Sequence, residues 1–238
     1  MKFRALMISA VLTLTAAYAA DAPPPLLVRG TIASIDANSV TITKADGTTV
    51  TAAVAPATFF AAVEPRRFDQ IKSTDFVGIT SVPGPNDTMK AEEIHLIPLK
   101  GLGEGTYPWD HHPDGGAPTT AGSMTNGTVA VVHNGPTAAG SMTNGTVTAS
   151  KGMELKVTYH GSEVVNGKCV GHAAPHSPCT GVATVTVSDS TPIVAIVSAK
   201  PADAKPGLAV FANIATGTDG KLTAGSLVLE KNGIKPPM

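Results

Sequence analysis

Ser39-Val40-Thr41-Ile42-Thr43-Lys44-Ala45-Asp46-Gly47-Thr48-Thr49-Val50-Thr51-Ala52-Ala53-Val54 is the stretch that decides the fold class. Apolar and hydroxyl side chains alternate in Ser39-Val40-Thr41-Ile42-Thr43, so one face of the segment is greasy and the other wet. Asp46-Gly47 interrupts the alternation with a strong hairpin signal. The segment therefore reads as two antiparallel strands of a half-buried sheet. Upstream, Val28-Arg29-Gly30-Thr31-Ile32 supplies a preceding strand, turned at Asp36-Ala37-Asn38. Downstream, Thr58-Phe59-Phe60-Ala61-Ala62-Val63 is followed by a polar crossover at 64–72, with room for one helical turn. Phe76-Val77-Gly78-Ile79-Thr80 and residues 91–97 then close the unit.

The same order of signals recurs. Asn144-Gly145-Thr146-Val147-Thr148 opens a second unit, and residues 153–159 continue it. His160-Gly161 stands where the first unit has Asp46-Gly47. Strands at 183–187 and 192–197, a polar crossover at 198–206, and strands at 209–214 and 226–229 complete it. Nothing in either unit carries helical periodicity over a long span. Five or six short strands in about 70–85 residues suit a small barrel of the oligonucleotide/oligosaccharide-binding (OB) type. A β-sandwich is the runner-up. The expected organisation is an OB-like barrel at 26–98, a linker at 99–138, a second OB-like barrel at 139–232 and a tail at 233–238. Glycine, proline and threonine give 99–138 its linker character. Within it, Ala121 to Val129 reads AGSMTNGTV, and Ala139 to Val147 repeats it with an offset of 18. Only the second copy runs on into the strands of a barrel. The first reads as a duplication that lengthens the linker or adds an edge strand.

The N-terminus has the three parts of an export signal: Met1-Lys2-Phe3-Arg4, an apolar run at 5–16 and Ala17-Tyr18-Ala19. The run is shorter than the ~20 residues of a spanning helix. Residues 1–20 are therefore expected to leave by cleavage near Ala19 or Ala20, giving a periplasmic or secreted product rather than an integral membrane protein. The chain holds 17 basic and 18 acidic residues. Loss of Lys2 and Arg4 leaves fifteen against eighteen, a net charge of −3. That balance, with aromatics at only 4%, disfavours a nucleic-acid partner.

These features gather in a resemblance. Val28-Arg29-Gly30-Thr31-Ile32, Gly103-Glu104-Gly105 with Pro108-Trp109-Asp110, Met142-Thr143-Asn144-Gly145-Thr146-Val147, the Pro192-Ile193-Val194 strand and the 232–238 tail carry it. The chain resembles exported proteobacterial proteins with tandem OB-like domains, of the domain of unknown function 5666 type. The resemblance spans nearly the whole mature chain. It departs at the duplicated block and at an insertion, residues 167–181. It implies a fold and brings no activity or catalytic residue.

The insertion holds the most specific chemistry, Cys169-Val-Gly-His172-Ala-Ala-Pro-His176-Ser-Pro-Cys179. Two cysteines this close in an exported chain read first as a disulfide. The rival reading is a C-x2-H-x3-H-x2-C site for zinc or copper, with His172 and His176 between the two sulfurs. Asp110-His111-His112 is a second candidate ligand cluster, set against the plain reading of solvated linker histidines. Tyr107 and Trp109 are read as aromatic anchors holding the linker onto a barrel, because an exposed tryptophan wastes its apolar area. His95 reads as a structural strand histidine. Glu92-Glu93 point to opposite faces and cannot act as an acid/base pair. No nucleophile elbow, phosphate loop, zincin helix or haem motif occurs. The expected function is a non-catalytic exported module that binds a protein, glycan or envelope component and needs no cofactor. The alternative is a periplasmic zinc- or copper-handling accessory protein.

Overall fold

The computed structural model describes residues 24–109, 122–134, 152–176 and 178–236. Fourteen strands and two single 3-10 turns make up the described elements. The first three strands are β1 (Leu26–Ile35), β2 (Ser39–Thr43) and β3 (Thr49–Pro65). The opening hairpin forms as the alternation requires. Lys44 N–H donates to Thr48 O at 2.8 Å, and Asp46 Oδ1 accepts from Thr48 N–H at 2.9 Å. Next come β4 (Phe76–Pro83), β5 (Met89–Leu96), β6 (Gly105–Trp109) and β7 (Gly122–Asn134). The remainder are β8 (Met153–Gly161), β9 (Glu163–Val165), β10 (Lys168–His172), β11 (Cys179–Val187), β12 (Ile193–Ser198), β13 (Ala209–Thr216) and β14 (Leu222–Leu229).

The chain is all-β and barrel-forming, but neither repeat closes on itself. One ring runs β1-β2-β3-β14-β13 and returns to β1. The β3–β14 pair is parallel and the rest antiparallel. A second ring runs β7-β8-β11-β5-β4 and returns to β7, with β11–β5 as its parallel pair. Each ring therefore takes three strands from one half of the chain and two from the other. The contiguous barrels expected at 26–98 and 139–232 are replaced by two rings that exchange their last two strands.

The crossing elements explain the exchange. β3 is 17 residues long, more than 50 Å at about 3.3 Å per residue. Its first part belongs to the first ring. Its end delivers the chain through the 3-10 turn Phe68–Gln70 to β4 and β5 in the second. β11 and β12 make the reverse journey, through the 3-10 turn Pro201–Asp203. Where the two paths pass they pair antiparallel, from Val194↔Pro65 to Ser198↔Ala61. Both 3-10 turns fall in the polar crossovers read from the sequence. Both are capped alike: Arg67 N–H donates to Gln70 Oε1, and Lys200 N–H to Asp203 Oδ2.

Each ring has its own interior. Val28, Ile32, Val40, Ile42, Ile214 and Leu227 meet in the first. Val77, Ile79, Ile94, Leu155, Val157 and Val185 meet in the second. A third cluster lies outside both rings, where Val63, Val194, Phe211 and Val228 pack together.

The linker expected at 99–138 contains two strands. β7 is a full member of the second ring, and β6 pairs with its outer edge. Asn126-Gly127, within the expected linker, lies mid-strand. The glycine answers a close approach: a Cβ there would stand 2.4 Å from Thr158 O and 2.8 Å from Val157 Cγ1. Likewise a Cβ on Gly105 would meet Gly171 O at 2.1 Å. Glycine here marks tight backbone packing rather than looseness. The ring strand is thus built from the first AGSMTNGTV copy, the one expected to lengthen the linker or add an edge strand. The second copy, the expected signal at 1–20 and the end of the 233–238 tail lie outside the described residues. No helix among the described residues is long and apolar enough to cross a membrane.

Candidate functional site

Strand alternation sends Ile94 into the second ring, so Glu93, His95 and Ile97 face outward. Across the ladder, Gly78 stands opposite His95, and Asn126 opposite Gly78. Gly78 has no side chain, so Asn126 Oδ1 settles over it; a Cβ there would meet that oxygen at 2.5 Å. The outer face of the first ring, with Phe59, Phe211 and Val228, looks back across a gap. The result is a cavity of about 1170 Å³ between the rings. Leu26, Phe59, Leu99 and Leu102 line it while exposing 39–55% of their surface. Large apolar side chains left together in water usually mark a binding surface.

The far wall is polar and buried. His95 Nε2 lies 2.5 Å from Glu93 Oε1, and neither side chain is more than 2% exposed. The i, i+2 spacing on a strand brings them to one face. Asn126 donates from Nδ2 to Gly103 O at 2.8 Å and to the Tyr107 hydroxyl at 2.9 Å. Burial pushes the Tyr107 phenol up to about 12, against the smaller opposing effect of the Asn126 hydrogen bond. Thr80 Oγ1, Trp109 Nε1 and Asn126 Oδ1 are buried with no hydrogen-bond partner among the described residues. Buried polar atoms without partners are costly and rare, and Trp109 and Asn126 both line this cavity.

Trp109 ends β6 and faces the first ring. Its ring centroid is 6.4 Å from that of Phe211 in the first ring, and the Arg29 guanidinium lies over it at 5.7 Å. The neighbouring Tyr107 ring lies 3.8 Å from His172 at a tilt of 31°. That contact depends on the insertion. Asn166-Gly167 turns β9 into β10, and β10 pairs with β6 through Gly171↔Thr106 and His172↔Gly105. The insertion is thus an extension of the sheet that buttresses the cavity wall.

Comparison with known proteins finds no matching family model, no matching curated protein and no matching solved structure.

Cys169 and Cys179 are joined as a disulfide, with Cα atoms 5.6 Å apart. Both sulfurs are thereby withdrawn from the four-ligand set drawn from this loop. His172 stacks on Tyr107, and His176 is exposed in the turn beyond β10. No group of three or more His, Cys, Asp or Glu gathers to hold a metal among the described residues. Asp110, His111 and His112 lie outside those residues. Two features of the cavity escaped the sequence reading. The Glu93–His95 pair was legible in its spacing, whereas Asn126 lay in a stretch read as linker.

Proposed function

We propose that this chain is a non-catalytic exported binding module, of the tandem OB-like kind it resembles. Its ligand is a neutral, mainly apolar molecule held between the two rings. The observation that carries this reading is the cavity itself: apolar at the mouth, polar and buried at the far wall, and built from both rings. Sites for small molecules are concave, mostly apolar and furnished with a few placed polar groups. Asn126, Trp109 and Tyr107 would orient the polar end of such a ligand. An acidic ligand fits poorly, because no lysine or arginine lines the cavity among the described residues. The disulfide supports the export part of the reading, since such bonds persist in oxidising compartments.

Trp109 is the only tryptophan in the chain and it lines the cavity, so its emission is a direct reporter. Titration with the neutral probe N-phenyl-1-naphthylamine should quench Trp109 saturably. Leu102→Asp should weaken binding at least tenfold while leaving the far-ultraviolet circular dichroism unchanged. A linear, non-saturating response, or equal affinity in Leu102→Asp, would reject the reading.

A further inference from the structure

The polar wall of the cavity describes the head of its ligand. Asn126 is 7% exposed and lines the cavity. Both hydrogens of its Nδ2 are engaged, one by Gly103 O at 2.8 Å and one by the Tyr107 hydroxyl at 2.9 Å. Those bonds fix the sense of the amide, because turning it over would set Oδ1 against the Gly103 carbonyl, acceptor against acceptor. Oδ1 is therefore held above Gly78, where it is buried without a hydrogen-bond partner among the described residues. The Tyr107 hydroxyl does not serve it, since that group lies on Nδ2 and 3.4 Å from Gly103 O.

Trp109 offers the opposite kind of atom. An indole nitrogen only donates, and Nε1 is buried without a partner among the described residues. Ladder pairing sets the two residues on one face. Trp109 stands opposite Gly122 and Tyr107 opposite Met124, so by alternation these four and Asn126 share the side that lines the cavity. Tyr107 touches both, with its ring 6.2 Å from that of Trp109 and its hydroxyl on Asn126. The other buried polar residue of the lining, His95, is paired with Glu93. No aspartate, glutamate, lysine or arginine lines the cavity among the described residues, so an ionised head meets no counter-charge there. A buried donor and a buried acceptor left open penalise any ligand that fails to supply their partners.

We infer that the ligand is an uncharged amphiphile whose head both donates and accepts hydrogen bonds, as a primary carboxamide or a glycerol monoester does. An oxygen of the head accepts from Trp109 Nε1, and an N–H or O–H of the same head donates to Asn126 Oδ1. The hydrocarbon body lies against Leu26, Phe59, Leu99 and Leu102 at the mouth. A simple ester head accepts and cannot donate, so it leaves Asn126 Oδ1 open. A carboxylate has the same fault and brings a charge with no partner. This assignment rests on the cavity being the ligand site proposed above, and adds to it the chemistry that selects one neutral ligand over another.

The test is displacement of N-phenyl-1-naphthylamine from the full-length protein, read from the probe's own emission. Four competitors share one acyl chain: dodecanamide, glycerol monododecanoate, methyl dodecanoate and dodecanoate. Methyl dodecanoate is the least polar, so burial of apolar surface alone ranks it first. The structure reverses that order. The better of dodecanamide and glycerol monododecanoate should bind at least tenfold more tightly than methyl dodecanoate and dodecanoate, and whichever it is names the head. Methyl dodecanoate or dodecanoate binding as tightly as that ligand overturns the inference. Asn126→Leu should erase the gap between the donating heads and the methyl ester, whereas Trp109→Phe, which keeps a ring and loses the N–H, should weaken all three neutral ligands and leave the gap. A gap that survives Asn126→Leu overturns the assignment. Should Asn126→Leu fail to fold, the ranking in the parent still decides. If the probe itself fails to saturate, the cavity reading falls and the head-group inference with it. If the probe saturates and the competitors rank by hydrophobicity, only the head-group inference falls.

Discussion

Leu227→Ala tests the strand exchange at its most exposed point of logic. Leu227 lies on β14 near the C-terminus and is fully buried. Its Cα partners are Phe60 on β3 and Ala212 on β13, and its core neighbours include Val28, Ile32, Val40 and Ile42. Those four residues stand at the other end of the chain. Truncation of a buried leucine costs about 3–5 kcal/mol, through lost transfer energy and the cavity left behind. For a chain of this length each kcal/mol lowers the melting temperature by about 2–4 °C, so a fall of about 6–20 °C is expected. The location of the damage is the sharper observable, because native proteins open in local units. Hydrogen exchange read by mass spectrometry should speed up in β1 and β2 and remain slow in β8 and β11. Ile94→Ala, on β5, should do the reverse, because Ile94 packs with Leu155, Val157 and Val185. If Leu227→Ala loosens β8 and β11 while β1 and β2 keep their protection, each repeat closes its own barrel and the exchanged topology is wrong.

Reduction of Cys169–Cys179, or Cys169→Ser with Cys179→Ser, should cost at most about 3 kcal/mol, the loop entropy of a ten-residue separation; urea unfolding with and without reductant measures it. His95→Ala strips a buried partner from Glu93 and should destabilise the fold by about 1–3 kcal/mol in the same assay. Tyr107 should ionise near pH 12, well above an ordinary phenol, as read from absorbance at about 295 nm in parent and Tyr107→Phe. The folded phenol holds its proton more tightly than the unfolded one. Its contribution to stability is therefore complete below about pH 10 and is lost as pH rises towards 12, and Tyr107→Phe should flatten that part of the alkaline stability curve.

Local chemistry was legible along most of the chain. Asp46-Gly47 turned where a hairpin was read. The crossovers at 64–72 and 198–206 each formed one 3-10 turn, and Cys169 met Cys179. The errors share one cause: Gly105, Pro108 and Gly127 were taken as signs of a linker. Glycine, however, also serves strands whose backbones press together, and only the neighbour decides which use applies. Thr158 O, which excludes a side chain at 127, lies 31 residues further along the chain.

The sequence by itself determined that this is an all-β chain, because period-two alternation and turn residues are properties of each segment alone. Which strand pairs with which was decided only in three dimensions. An OB-like strand presents the same apolar stripe to either repeat's partners, so alternation cannot say whether β3 leads back to its own ring or on to the other. The length of β3 and its antiparallel ladder with β12 carry the chain across. The cavity between the rings, with Asn126 and His95 at its wall, exists only because they do.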